Sequence, residues 1–562
     1  MSYFAEQQTI RNLFNNTIYT IPRNQRKYVW TKDNWQDLFS DIQFSIENNN
    51  HHFIGSVVLL KDDHNKRLSQ YVVIDGQQRI MTLTIFMVSI LFYFRKFGMK
   101  NQFEGSKKYV IFNDDENKEH HIFNSPYQTS LMSMIDDVLK YESKSSVTTE
   151  KFIKQNLIDE RKDKNIVKCF EFFSEKIEQL CPNGKNKNKL TALRDALLDV
   201  QFVRIKADST EDSYTIFEIL NARGQKLADH EMVKNYIMRY ITPQDQVDIV
   251  RSDWELLENR LGAGIKNFFK HYLLHKYQIT DDDKKDVYKA VKKFVKPDGV
   301  KEAFKDINVK SKYYAKIYNP QKQDADGNKI CSPYEYEILT YFKLKRQEQF
   351  RPLILSFMSA HDNSKLNEKD YNTTLAFFRN FFVCYNLIGK EKSNTLTNLI
   401  AKSAYNLESN YSKTQLDDVI KSFKDRIPSK QFFINAFKNI GFSNHWKFYK
   451  DEKEKSRAKL VLEYYEQSLN KEKITDEFTI EHILPDSQGE ANANVGNLLP
   501  LEESLNESCK DKKLSEKIPF YKQSSFKSVQ QFVKYYENNL SQFDIEKRRD
   551  YLANEFYKLL NK

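Results

Sequence analysis

The chain has 562 residues, which is too long for a single hydrophobic core, so we expect two to four domains. It is 40% hydrophobic with only 14 glycines and 12 prolines, which argues against long flexible linkers and favours a mainly helical protein. The net charge of +11 permits nucleic-acid binding without establishing it, because basic and acidic residues are mixed along the chain.

The cysteines and the longest apolar run indicate in which cellular compartment the protein is expected. The five cysteines form no CxxC pair and no signal peptide is visible, which predicts reduced thiols in a cytoplasmic protein. Residues 80–94 are apolar but carry two threonines and a serine, and we expect this run to be too short to span a bilayer.

The first 60 residues predict two strands and a polar loop. A short helix is expected before a strand at 17–21, and a buried strand at 53–60 contains Gly55, which indicates a bulge or a close approach. Between the strands lie Gln25 and Arg26, followed by aromatic residues, a set that can bind phosphate and stack a base. An ordinary loop, with its aromatic residues in the core and its arginines in solvent, fits the same pattern.

A strand at 71–74 stops at Asp75 and Gly76, and a helix is predicted over 80–94. A helix that starts directly after a strand offers free backbone N–H groups, and Arg79 adds a planar charged group suited to phosphate. The stretch therefore predicts either a phosphate site or a plain strand–turn–helix whose polar residues cap the helix.

Further along, 197–207 predicts a strand and 211–219 a helix, with a helix stop at 221–224. There Arg223 either reaches the same pocket or belongs to an ordinary connection between helices. Residues 241–470 show helical periodicity almost throughout.

The second candidate site begins at 479–485, where a strand carries Glu481 and His482. A histidine on a strand can act as a general base that activates water. A neighbouring carboxylate and an amide oxygen on a following helix can hold one hard divalent ion, which would stabilise a scissile phosphate. A strand end with an exposed histidine is the alternative.

The pattern Asp-Gly-Gln-Gln-Arg at 75–79, together with 21–30, 53–60 and 217–235, resembles the ParB-like nucleotidase domain of GmrSD-type, modification-dependent restriction enzymes. The resemblance implies a nucleoside triphosphate site, for GTP, UTP, CTP or ATP. The residues that it implies for this site are Gln25, Arg26, Gly55, Asp75, Gly76, Gln77, Gln78 and Arg79.

The stretch from 479 to 506 resembles the HNH, or His-Me finger, nuclease domain at the C-terminus of the same proteins. The resemblance implies that His482 is the general base, that Asn497 orients it, and that Asn506 binds Mg²⁺ or Mn²⁺ together with Glu481. Three lysines after the catalytic helix are expected either to neutralise DNA phosphates or to form a solvated surface: Lys510, Lys512 and Lys513.

These observations predict an α+β, predominantly helical protein. We expect a ParB-like α/β domain at 1–240, a helical connector at 241–470 and a ββα-metal HNH domain at 471–562. The predicted function is nucleotide-regulated cleavage of modified, double-stranded phage DNA, with no membrane partner and with monomer and homodimer both open. A DNA-binding or toxin-like regulator with a structural nucleotide site is the alternative, as is a phosphorothioate-sensing nicking nuclease.

Overall fold

The structure is a computed structural model. It describes residues 3–62, 68–125, 129–141, 164–223, 227–241, 248–388, 396–470 and 477–560. Two compact units are present, Met1–Trp254 and Glu255–Lys562. Both are rich in helices and each contains a sheet, which confirms the predicted α+β, predominantly helical class.

The N-terminal unit is built on a six-stranded mixed sheet in the order β1-β8-β3-β4-β2-β7. Its strands are β1 (Tyr3–Thr9), β2 (Thr17–Thr20), β3 (Phe53–Lys61), β4 (Ser69–Asp75), β7 (Phe123–Asn124) and β8 (Gln201–Ala207). A separate hairpin pairs β5 (Ile111–Asn113) with β6 (Glu119–His121). The short helix expected before residue 17 is present at Ile10–Leu13, and residues 3–9 form in addition an edge strand, not predicted, that pairs antiparallel with β8.

The helices of this unit include one long apolar helix. They are α1 (Ile10–Leu13), α2 (Lys32–Asn48), α3 (Gln77–Lys96), α4 (Lys100–Lys107), α5 (Thr129–Lys140), α6 (Lys164–Leu180), α7 (Lys187–Leu198), α8 (Thr210–Arg223) and α9 (Asp229–Tyr240). The long helix α3 has 20 residues, five more than the predicted run, and by length and composition alone it could cross a membrane. Its most apolar window is 94% buried inside the unit, where it forms the centre of the core.

The second unit begins with helices, and α10 (Ile249–Leu261) crosses the division between the units. The helices that follow are α11 (Ile265–Lys276), α12 (Val287–Phe294), α13 (Val300–Tyr318), α14 (Pro333–Leu344), α15 (Arg351–Asp362), α16 (Glu368–Phe382), the π-helix Val383–Ile388, α17 (Thr397–Ser409) and α18 (Lys413–Lys424). This part is helical, as the sequence predicted, and buries two histidines, His271 and His275.

The chain ends in a small hairpin wrapped by helices. The strands β9 (Thr479–His482) and β10 (Leu498–Leu501) pair antiparallel. Around them lie α19 (Lys430–Phe437), α20 (Glu452–Leu469), α21 (Glu503–Cys509), α22 (Leu514–Tyr521), α23 (Lys527–Tyr536) and α24 (Ile545–Leu560). One hydrophobic core joins residues of α19 and α20 with residues of the hairpin and of the last helices.

Candidate nucleotide and nuclease sites

The turn between β4 and α3 depends on a glycine. Gly76 has φ +95°, a conformation that side chains rarely adopt, and a Cβ there would lie 3.0 Å from Cγ2 of Val57. Because the turn is this tight, the helix starts at Gln77, one residue after β4 ends, and its first three side chains, 77–79, lie at the carboxyl end of β4.

The two glutamines of the turn hold the loop at 25–29. Gln77 Nε2 donates to the carbonyl oxygen of Arg26 at 2.8 Å, and Gln78 Oε1 accepts from the backbone N–H of Val29 at 2.9 Å. From the other side, Gln25 Nε2 donates to the carbonyl oxygen of Ile74 at 2.7 Å. These amides therefore cross-link two loops and do not cap the helix.

Arg79 crosses over a bulge in β3. Its Nη1 donates to the carbonyl oxygens of Ile54 at 3.1 Å and Ser56 at 2.6 Å, and its Nη2 lies 3.5 Å from Oδ2 of Asp75. Gly55 has φ +91°, and a Cβ there would lie 2.9 Å from Nη1. The strand register shifts at this point, as the glycine predicted, because the backbone makes room for the guanidinium.

The predicted nucleotide residues therefore lie together at one end of the sheet. Arg26 also reaches α9, where its Nη1 lies 3.7 Å from Oε1 of Glu231. One acceptor is left over: Gln77 Oε1 is buried and makes no hydrogen bond within the described residues. The side chain of Arg223, and Gly224 of the predicted helix stop, lie outside the described residues.

In the second unit, Asn497 fixes the loop that follows β9. Its side chain is fully buried, accepts from the N–H of Leu484 at 2.9 Å, and donates to the carbonyl oxygens of Leu484 and Asn492, both at 2.7 Å. Asn497 thus holds the backbone two residues beyond His482, and its orientation of that histidine stays a prediction.

The ring of His482 is held by residues that the sequence analysis did not identify. Its Nε2 lies 2.7 Å from the carbonyl oxygen of Phe442, and its ring stacks on the Phe442 ring with centroids 5.8 Å apart. A carbonyl oxygen only accepts, so Nε2 carries a proton, and in the neutral form of the ring the lone pair is on Nδ1. The histidine side chain is 13% exposed.

A carboxylate stands beside this ring. Asp486 Oδ2 lies 3.9 Å from His482 Nε2 and accepts from Ser443 Oγ at 2.8 Å, while Oδ1 lies 3.6 Å from Nε2 of His445. The four-residue step from His482 to Asp486 was visible in the sequence. The segment 442–445 was not, because it lies about 40 residues upstream and within the predicted connector.

Glu481 lies elsewhere. Neighbouring strand residues point to opposite faces, and the Glu481 carboxylate turns away from the imidazole into the core. Its Oε1 accepts from Lys517 Nζ and Tyr521 Oη, both at 2.8 Å, and the Lys517 side chain is fully buried. Burial and this carboxylate raise the pKa of Tyr521 well above its ordinary value. The carboxylate is therefore committed to an internal ion pair.

Asn506 reaches the same side of β9 as Glu481. Its Nδ2 donates to Thr479 Oγ1 at 2.7 Å and to the carbonyl oxygen of Ile480 at 3.2 Å. Within the described residues, no group of three or more histidines, cysteines or carboxylates is placed to hold a metal ion. Glu481 and Asn506 thus do not fit a divalent ion as they lie, because a buried ammonium already occupies the carboxylate.

The three lysines after α21 are exposed. Lys512 donates to the carbonyl oxygen of Ser508 at 2.6 Å and lies over the ring of Phe520, whereas Lys510 and Lys513 form no described ion pair. None of the three lysines forms a described ion pair, so their charges are available to phosphate.

Comparison with protein families gives two matches. Residues 10–238 match the N-terminal domain of GmrSD restriction endonucleases, and residues 428–555 match the C-terminal domain of these endonucleases. The chain belongs to the GmrSD family. It is therefore a DNA endonuclease of a restriction system that acts in phage defence. The C-terminal match includes Phe442 and His445, and comparison with curated proteins gave no match.

Proposed function

We propose that this GmrSD protein cuts DNA in an active site that contains His482, and that the neutral imidazole of His482 is the general base. The observation that carries the proposal is the 2.7 Å hydrogen bond from Nε2 to the carbonyl oxygen of Phe442. It fixes the tautomer and the ring plane, so that Nδ1 is the atom that accepts a proton.

In this mechanism Nδ1 of His482 takes a proton from water, and the resulting hydroxide attacks the phosphorus. The P–O bond to the leaving oxygen breaks, and that oxygen takes a proton from solvent. The Asp486 carboxylate, held by Ser443, favours the imidazolium that forms, because an opposite charge nearby stabilises the charged ring. Lys510 and Lys513 neutralise phosphates of the bound duplex.

A requirement for Mg²⁺ or Mn²⁺ remains a prediction from the family resemblance. Such an ion would stabilise charge on the phosphate. Cleavage measured over a titration of each ion, after removal of metal by a chelator, tests it. Activity that is undiminished without metal would refute the requirement.

We also propose that a nucleoside triphosphate binds at the end of β4 and regulates cutting. Two features support this: the loop with Arg26 is cross-linked to the helix start by buried glutamines, and Gln77 Oε1 is a buried acceptor that a ligand donor could satisfy. Hydrolysis of GTP, UTP, CTP and ATP by the purified chain, with and without DNA, identifies the nucleotide. No hydrolysis and no effect on cutting would refute this part.

The preferred substrate that we propose is modified phage DNA in the bacterial cytoplasm, as the family resemblance implies. Cleavage of matched DNA that is unmodified, glucosylated at hydroxymethylcytosine or phosphorothioated tests this directly. Equal cutting of all three would refute modification dependence. Binding without cutting would favour the alternative, a DNA-binding regulator.

A further inference from the structure

A cavity of about 770 Å³ lies in the C-terminal part of the chain, apart from the ring of His482. It is bordered by α20, α23, α24 and the turn before α24, and its volume is in the range of pockets that hold small organic ligands.

Aromatic rings form much of its wall. Tyr535 and Tyr551 line the cavity and are 76% and 50% exposed, although large aromatic residues are usually buried. Beneath them, Phe532, Tyr536 and Phe543 pack with ring centroids 4.9–5.5 Å apart. An open wall of tyrosines on a packed base suits a planar ring that stacks.

A buried cation faces the same cavity. The Arg548 side chain lines it, is 8% exposed, and forms no ion pair with a carboxylate of the described residues. Burial lowers the pKa of Arg548 to about 10. A buried charge without a counter-charge is costly, so such an arginine favours an anionic ligand.

Arg548 also connects the cavity to the nuclease hairpin. Its Nη1 donates to the carbonyl oxygens of Gly496 at 2.7 Å and Leu498 at 3.0 Å, on either side of Asn497. The other described hydrogen bonds of this residue are made by its backbone. The N–H groups of Nε and Nη2 therefore have no acceptor among the described residues and can donate to a ligand. Leu498 in turn pairs with His482 across the hairpin.

Polar groups on the wall complete the site. Ser528 lines the cavity, is 4% exposed, and its Oγ makes no hydrogen bond within the described residues. Gln542 and Lys547 are exposed at the rim. Among the described residues that line the wall, Asp544 is the one carboxylate, and its Oδ1 accepts from the backbone N–H of Lys547 at 2.8 Å.

We infer that this cavity binds one nucleotide unit, with the base stacked on Tyr535 and Tyr551 and the phosphate near Arg548 and Lys547. The base edge meets Ser528 Oγ and the amide of Gln542. The unit is either a nucleotide turned out of the bound DNA or a free nucleotide, since both carry the same ring and phosphate. The inference rests on the endonuclease activity of the family and not on the role of His482.

The test measures binding to the full chain carrying His482→Ala, which the proposed mechanism makes unable to cut, and a gel of the duplex after each titration checks that it is intact. A duplex with 2-aminopurine at a central position is compared with the same duplex abasic at that position, and deoxynucleoside monophosphates are titrated separately. The inference predicts a change in 2-aminopurine fluorescence on binding and tighter binding of the duplex that has the base, if DNA supplies the unit. If the unit is free, the monophosphates saturate the site instead.

Variants of the two cavity tyrosines show whether the base binds in this cavity. Tyr535→Ala and Tyr551→Ala should each weaken the base-dependent binding about 5- to 150-fold, the range expected for loss of one stacking partner. Tyr334→Ala removes another exposed tyrosine of the same unit, outside the cavity, and should leave binding unchanged. If the three variants bind alike, or if neither probe shows binding that depends on a base, the inference is wrong. Because the readout is binding, it does not depend on whether His482 proves to be the base.

Discussion

The environment of Glu481 gives a sharp prediction, because the family resemblance and the structure assign this residue different tasks. If Glu481 is a metal ligand, as the family resemblance implies, Glu481→Gln should weaken metal binding and leave the fold intact. In the structure the carboxylate neutralises the fully buried Lys517 and also accepts from Tyr521. The same substitution should then reduce the stability of the C-terminal part.

The magnitude follows from the burial of both partners. Breaking a buried ion pair leaves one charge uncompensated and costs about 3–5 kcal/mol. Glutamine keeps an oxygen that can accept, so we expect roughly 3 kcal/mol for Glu481→Gln, which lowers the melting temperature of a large domain by on the order of 6 °C. Lys517→Met combined with Glu481→Gln should cost less than the two separate changes added together, because no unpaired charge remains.

Scanning calorimetry of the full chain measures this effect, with hydrogen exchange of peptides from 478–525 to locate it. Glu503→Gln is the matched control, since Glu503 is exposed at the start of α21 and its loss should change stability by less than about 0.5 kcal/mol. The reasoning is refuted if Glu481→Gln melts like the wild type and instead requires more Mg²⁺ for half-maximal cleavage.

Three further predictions concern other parts of the chain. Gly55→Ala should cost about 1–3 kcal/mol in calorimetry and slow nucleotide hydrolysis, because its Cβ meets Arg79 at positive φ, whereas Gly105→Ala in open space should do neither. Burial lowers the pKa of His271 and His275 to about 3, below the value near 6.5 of unfolded histidine, so unfolding takes up protons below pH 6.5. The free energy of unfolding should therefore fall as the pH is lowered from 6.5 to 3, and at pH 5 each histidine should account for about 2 kcal/mol of the loss. Urea unfolding at several pH values measures this. A His275→Asn variant whose stability falls as steeply with pH as that of the wild type would contradict it. Asp486→Asn should slow DNA cleavage by less than the roughly 10²- to 10⁴-fold expected for loss of a general base, and an unchanged rate would remove it from the mechanism.

The sequence pattern predicted correctly those features of the fold that depend only on neighbouring residues. Gly55 predicted a bulge or close approach, and the structure has both, because only glycine takes φ +91° against a guanidinium. The strand, turn and helix at 71–94 also follow the sequence closely. These features depend on a few neighbouring residues.

Long-range pairing was not visible in the sequence. The sequence analysis did not predict β1, in which Tyr3 pairs with Ala207. Likewise, the partner of the His482 ring is Phe442, 40 residues earlier. No local periodicity reports contacts over such distances, since they are set by the packing of whole elements.

The expectation that two residues adjacent in the sequence share a site was also wrong. Glu481 and His482 are neighbours and were expected to share a site, but strand geometry sends their side chains to opposite faces. The lysine that neutralises Glu481 and the tyrosine that donates to it lie on α22, 36 and 40 residues further on. Strand alternation alone was enough to place the carboxylate away from the imidazole.

The central claim is that His482 is the general base of DNA cleavage. The direct measurement is the cleavage rate of purified His482→Ala with Mg²⁺ present, beside His51→Ala, which removes an exposed histidine of the N-terminal unit. We predict that His482→Ala lowers the rate by roughly 10²- to 10⁴-fold while nucleotide hydrolysis and DNA binding persist. A folded His482→Ala protein that cuts at the wild-type rate would contradict the claim.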